Sequence, residues 1–226
     1  MHYKIFGDTL PAVTITCQAG ETLYAQAGGM TWMSDAFEMD ATMKGGIMKG
    51  LGRVLAGESM FLVRYTALRE GAEITFSSSF PGNILAFTLD GRRELICQKH
   101  AFLCASEGIE TEIAFNSAKA GLFGGEGFIM QRIKGHGLVF LELDGSVAEK
   151  TLAAGERLRV DTGNVAAFDA TVRYTANTVP GIKNIVFGGE GLFLAVLEGP
   201  GQVYLQTMDA RGMAGRLLPY LPTKSS

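Results

Sequence analysis

An all-β protein made of one unit written three times, with a short helix at its C-terminus, is what the sequence predicts. Three observations carry this. Phe123-Gly124-Gly125-Glu126-Gly127 recurs as Phe187-Gly188-Gly189-Glu190-Gly191, with a weaker copy at Leu55-Ala56-Gly57-Glu58-Ser59, and an apolar run follows each. A glycine turn leading into two short apolar strands separated by a polar step also occurs three times, at Gly20, Gly91 and Gly155. A later glycine-rich element, at Glu70-Gly71, Gly135-His136-Gly137 and Gly199-Pro200-Gly201, precedes another apolar strand and reads as a hairpin turn each time. The spacing is 68 residues from Gly57 to Gly125 and 64 from Gly125 to Gly189. These periods exceed those of common solenoids, so three small β-units closing around a common core are expected rather than an open stack.

In order, Pro11 to Gln18 alternates apolar and polar residues and predicts a strand; Leu23 to Trp32 predicts two short strands around Gly28-Gly29. Leu95 to Cys104 and Leu158 to Phe168 repeat that pattern. The expected organisation is one domain, 1–226, of three repeats at about 11–85, 86–150 and 151–210. Two segments depart from the β pattern. Ala41 to Ala56 has apolar residues at helical spacing but four glycines, which weaken a helix by up to about 1 kcal/mol each. Thr207 to Leu221 predicts the terminal helix, ending near Pro219.

Composition narrows the functional classes. Of 226 residues, 47% are hydrophobic and 19% charged, an ordinary globular balance, and 30 glycines against 6 prolines fit many turns and strands. The net charge of −3 and the scattered basic residues show no general nucleic-acid footprint. Cys17, Cys97 and Cys104 lack framework spacing and read as reduced thiols in a cytoplasmic setting. The first residues show no signal-peptide pattern, and no apolar stretch reaches membrane-spanning length.

Few residues suggest chemistry. Glu58, Glu126 and Glu190 hold matching places in the three copies; if they converged, the carboxylates would raise one another's pKa or hold a hard cation, and otherwise each is a turn residue. Cys97, His100 and Cys104 lie close in sequence but lack a fourth zinc ligand, and buried thiols are the better reading. Gly-Gly-Glu-Gly lacks the lysine and the following helix of a phosphate loop. Three histidines and no nucleophile elbow leave no catalytic constellation, so no enzyme and no cofactor are expected. The candidate interaction surface is Met43, Lys44, Ile47, Met48, Lys49, Leu51 and Arg53, suited to a protein partner, an anionic membrane surface or packing within the protein and its oligomer. Phe76 and Phe140 sit within apolar runs and read as core, not as a base-stacking platform.

The three Gly-Glu elements, with Ala19-Gly20-Glu21-Thr22-Leu23-Tyr24-Ala25 near the start and Leu218-Pro219-Tyr220-Leu221 at the end, make the whole chain resemble the bacterial branch of the altered-inheritance-of-mitochondria family. The resemblance implies a fold like that of the trp RNA-binding attenuation protein. That means antiparallel β-sandwich units of the double-stranded β-helix type, three per chain, with pseudo-threefold symmetry. It implies no assigned biochemical activity, and eukaryotic members are associated with mitochondrial inner-membrane organisation. The expectation is a non-enzymatic, self-associating β-scaffold or binding module, with a membrane-surface role as an extension. The alternative is a ligand- or metal-binding protein, or an enzyme, with a pocket between repeats.

Overall fold

The computed structural model describes residues 1–40, 62–116, 129–178 and 193–221. The chain is predominantly β, with several antiparallel sheets, one short C-terminal helix and, among the described residues, no closed barrel.

The N-terminal strand β1 (His2–Phe6) pairs with β2 (Ala12–Cys17) along its outer edge. The turn at Gly20, where φ is +84°, leads into β3 (Thr22–Gln26), followed by β4 (Met30–Met33) and β5 (Phe37–Asp40). After residue 61 come β6 (Leu62–Ala67) and β7 (Ala72–Ser77). β7 lies between β2 and β4, and β6 between β3 and β5.

Next come β8 (Gly82–Asp90), β9 (Leu95–Gln98), β10 (Phe102–Ser106), β11 (Ile109–Asn116) and the long β12 (Ile129–Asp144). The first half of β12 lies between β9 and β11, and its second half between β8 and β10. The last set is β13 (Val147–Leu152), β14 (Arg157–Asp161), β15 (Val165–Asp169), β16 (Arg173–Thr178), β17 (Phe193–Glu198) and β18 (Gly201–Gln206). Here β18 lies between β13 and β15, and β17 between β14 and β16.

One sheet runs through 11 strands because β3 also pairs with β10, and β9 with β15. A 4-stranded sheet, β1-β2-β7-β4, and a 3-stranded sheet, β14-β17-β16, stand apart from it.

Gly135-His136-Gly137 does not form the expected hairpin. β12 passes straight through it, pairing Gly135 with Ile109 and His136 with Asp90. The two glycines, at φ +113° and +148°, bend the strand from one group of partners to the next instead of reversing it. A Cβ at Gly135 would overlap the Gly108 carbonyl oxygen, so the close crossing of β11's entry depends on its absence. Gly71 and Gly199-Pro200 do not form hairpins either: β6 pairs with β3 and β5 while β7 pairs with β2 and β4, and β17 pairs with β14 and β16 while β18 pairs with β13 and β15.

Alternation along the strands builds three apolar clusters. Val13, Ile15, Leu23, Ala25, Ile74, Phe76 and Phe140 belong to the first. Leu95, Cys97, Ala105, Val139, Leu141 and Ala167 lie in the second, and Ile96, Met130, Phe168, Ala195, Leu197 and Val203 in the third. Phe76 and Phe140 are both fully buried, as their apolar surroundings require. Each buried phenylalanine of this kind contributes about 1.5–3 kcal/mol relative to an exposed one.

The terminal helix α1 (Ala210–Leu217) is shorter than the expected 207–221. Thr207 and Met208 still donate to the Ser146 and Asp144 carbonyls, so the chain leaves the sheet only at Asp209. Asp209 then caps the helix by accepting from the Gly212 amide at 2.8 Å. A 3-10 turn, Leu218–Tyr220, ends it at Pro219.

Replacing Gly135 with Ala should cost about 3 kcal/mol or more, combining positive-φ strain with backbone overlap. Gly155→Ala, at φ +76° with open space around it, should cost only about 1–2 kcal/mol. Denaturant midpoints compare the two; equal losses would contradict the bend assigned to Gly135.

Candidate assembly interface

The distinctive sites of this chain are the two joints at which one set of strands hands its sheet to the next. At the first, Leu23, Tyr24 and Ala25 of β3 pair with Ser106, Ala105 and Cys104 of β10. The Glu107 amide extends the ladder, donating to the Thr22 carbonyl at 3.0 Å. At the second, Leu95, Ile96 and Cys97 of β9 pair with Asp169, Phe168 and Ala167 of β15. There the Ala170 amide donates to the Glu94 carbonyl at 2.9 Å. Small side chains fill both joints, with Ala25, Cys97, Cys104 and Ala167 all at 0% exposure. Their size suits the close sheet packing around them.

A glutamine closes each joint. Gln26 ends β3, and its Nε2 donates to the carbonyls of Lys99 at 3.0 Å and Phe102 at 2.7 Å. Gln98 ends β9, and its Nε2 donates to the Val165 carbonyl at 2.7 Å and the Gly163 carbonyl at 3.2 Å. These carbonyls belong to the 3-10 turns Lys99–Ala101 and Thr162–Asn164 and to the first residues of β10 and β15. A short turn leaves carbonyls without intrahelical donors, and the amides supply them.

Charged side chains reinforce the connections. Arg93 donates to Asp169 Oδ1 and to the Tyr204 hydroxyl, each at 2.8 Å, and lies over the Phe87 ring at 5.6 Å. Asp169 Oδ2 accepts from the Gln202 amide at 2.9 Å, so both carboxylate oxygens are engaged. Glu142 holds the link between β7 and β8 by accepting from the Ser79 amide at 2.6 Å and the Ser78 hydroxyl at 3.1 Å. Burial pushes its carboxyl above the ordinary range, and the bonds from Ser79 and Ser78 pull the other way. These groups are tied into the framework.

The thiols are buried as expected. Desolvation pushes Cys17 up to about 11 and Cys97 up to about 12, and raises Cys104 as well. Neutral thiols of this kind are poor nucleophiles and poor ligands. Among the described residues, no three His, Cys, Asp or Glu side chains gather as metal ligands. A shallow depression of about 500 Å³ lies on the outer face of the β14-β17-β16 sheet. Arg157, Arg159 and Arg173 line it, with Glu198, whose carboxylate pairs with Arg157 at 2.7 Å.

Glu58, Glu126 and Glu190 lie outside the described residues, in the connections from β5 to β6, β11 to β12 and β16 to β17. Met43, Lys44, Ile47, Met48, Lys49, Leu51 and Arg53 lie outside them too. The joint residues Gln26, Gln98 and Arg93 were not singled out from sequence. A signal for the glutamines was present: Leu23-Tyr24-Ala25-Gln26 and Leu95-Ile96-Cys97-Gln98 are the same apolar run closed by the same amide, three to four residues after the glycine turn.

The family model described as Mitochondrial biogenesis AIM24 matches residues 3–208. An uncharacterized protein of Streptococcus pyogenes serotype M6 is 27% identical over 225 residues, covering 96% of this chain and 89% of that protein. A crystal structure of a protein from Streptococcus pyogenes superposes with a TM-score of 0.81 at 24% identity, covering 97% of this chain and 99% of that one. That likeness shows the fold. Among the described residues no helix is long and apolar enough to cross a membrane.

Gln98→Leu should remove a partly buried donor from the Val165 carbonyl, while Gln206 Nε2 still donates to the Gly163 carbonyl at 2.9 Å, and destabilise the fold by about 1–3 kcal/mol. Urea unfolding measures this; a loss under about 0.5 kcal/mol would show that water replaces the clamp.

Proposed function

The chain belongs to the mitochondrial biogenesis AIM24 family, and from that premise we propose that it is a non-enzymatic β-scaffold whose role is assembly.

The reading rests on one observation: strand edges pass from each set of strands to the next in the same way. The proposed unit has six strands, spanning 12–77, 82–144 and 147–206. In each, the sixth strand lies between the first and third and the fifth between the second and fourth, with β12 serving as fifth and sixth at once. The third strand carries an irregularity at the same place each time, between Met30 and Trp32, Phe102 and Cys104, and Val165 and Ala167. This recurrence supports three repeated β-sandwich units of the double-stranded β-helix type, like those of the trp RNA-binding attenuation protein, with the first and last left unjoined among the described residues. An architecture whose units join by shared strand edges extends naturally to further copies, which favours a homo-oligomer. The buried, unbridged cysteines fit a reducing cytoplasmic setting.

Native mass spectrometry of the untagged protein, purified from its own host without chelator, tests the proposal. A homo-oligomer free of small ligands is the expected result. A stoichiometric metal ion, metabolite or lipid on a monomer would replace the scaffold reading with the ligand-binding one.

A further inference from the structure

The two joints obey one rule, and the rule leaves two edges over. At each joint, the second strand of one unit pairs with the third strand of the next. The remaining second strand is β14 and the remaining third strand is β4. Both end their sheets, with no strand on the edge in question among the described residues. The two ends of the chain also share no core there. The first apolar cluster holds no residue after Phe140, and the third holds none before Ile96.

We propose that β14 of one copy pairs with β4 of a second copy, so that the protein assembles head to tail through the joint it already makes twice within itself. This rests on the scaffold reading above and names the surface that reading needs.

The existing joints supply the register. Ala25 and Cys97 each precede the closing residue of the second strand, and they face Cys104 and Ala167, which follow the irregularity in the third. Carried to the free edges, this sets Val160 opposite Trp32, Arg159 opposite Met33 and Leu158 opposite Ser34. It also aims the Asp35 amide at the Arg157 carbonyl, as Glu107 is aimed at Thr22 and Ala170 at Glu94. Asp35 and Arg157 are exposed and of opposite charge, and they would face each other directly across the new ladder. Trp32 supplies the apolar part. It is 54% exposed at the place where Cys104 and Ala167 are fully buried, with the exposed Phe6 ring 6.4 Å away. An open edge beside an exposed tryptophan is a template for another strand.

The clamp is different at this joint. Asp161 stands where Gln26 and Gln98 stand, and its carboxylate accepts from the Gly163 amide. A carboxylate cannot donate to the carbonyls that lead into β4. The third joint therefore lacks the bond that fixes the other two, which suits an association that copies make and release.

Asp35→Cys and Arg157→Cys proteins, prepared separately, mixed and oxidised, should form a disulfide-linked pair that neither forms alone; the native thiols are buried. Sedimentation should show Asp161→Gln assembling at about tenfold lower concentration, as one added donor of about 1–1.5 kcal/mol implies. An oligomer that gives no mixed disulfide and ignores Asp161→Gln would overturn this joint while leaving the scaffold reading intact. A double variant that links only within its own chain would also overturn it, because the chain then closes on itself. A protein that sediments as a monomer at every concentration overturns both.

Discussion

Backbone hydrogen bonding across two strand edges, β3 to β10 and β9 to β15, is what the rest of the structure depends on. Each edge carries a row of amides and carbonyls that cannot be buried without partners. Pairing one unit's edge with the next satisfies that requirement and fuses separate small sheets into one of 11 strands. An isolated two-stranded hairpin is at best marginally stable in water. The joints supply area and partners that no unit has alone, and Ala25, Cys97, Cys104 and Ala167 are small where the sheets come together. Gln26 and Gln98 then satisfy the carbonyls left over where the chain turns into the next strand.

The bend in β12 follows from the same constraint. Its first half belongs with β9 and β11 and its second with β8 and β10, so one continuous strand serves two groups of partners. A strand can do this only by changing direction without losing its ladder, and glycines at positive φ allow that. Arg93 secures the neighbouring crossing. It bridges the turn after β8 to Asp169 at the end of β15 and to Tyr204 on β18, which ties the middle strands to the last set.

Much of this architecture was legible in the sequence. The turns at Gly20, Gly91 and Gly155 were readable because each has φ near +80°, a conformation other residues resist, and each opens onto an apolar strand. Phe76 and Phe140 were readable as core because apolar neighbours flank them. β1 was missed although His2 to Phe6 alternates, because an exposed edge strand buries too little to mark itself. Gly135 and Gly137 were misread as a hairpin because a turning glycine and a bending glycine look alike in sequence. Only the partners on either side, Ile109 and Asp90 among them, distinguish the two. The site was less legible than the fold. Carboxylates and methionines carry recognisable chemistry in a sequence, whereas the joints are closed by glutamines, Gln26 and Gln98, whose role exists only once a distant turn is brought against them.

Among the described residues, β3, β9, β10 and β15 are paired on both sides while β4 and β14 each keep one open edge. Amide hydrogen exchange of the protein at low concentration, followed by mass spectrometry, measures this directly. The account predicts strong protection at Leu23–Gln26, Leu95–Gln98, Cys104–Ser106 and Ala167–Asp169, with fast exchange at the outward amides of Met30–Met33 and Arg157–Asp161. Equal protection in all six strands would contradict it, because every edge would then already be filled within one chain.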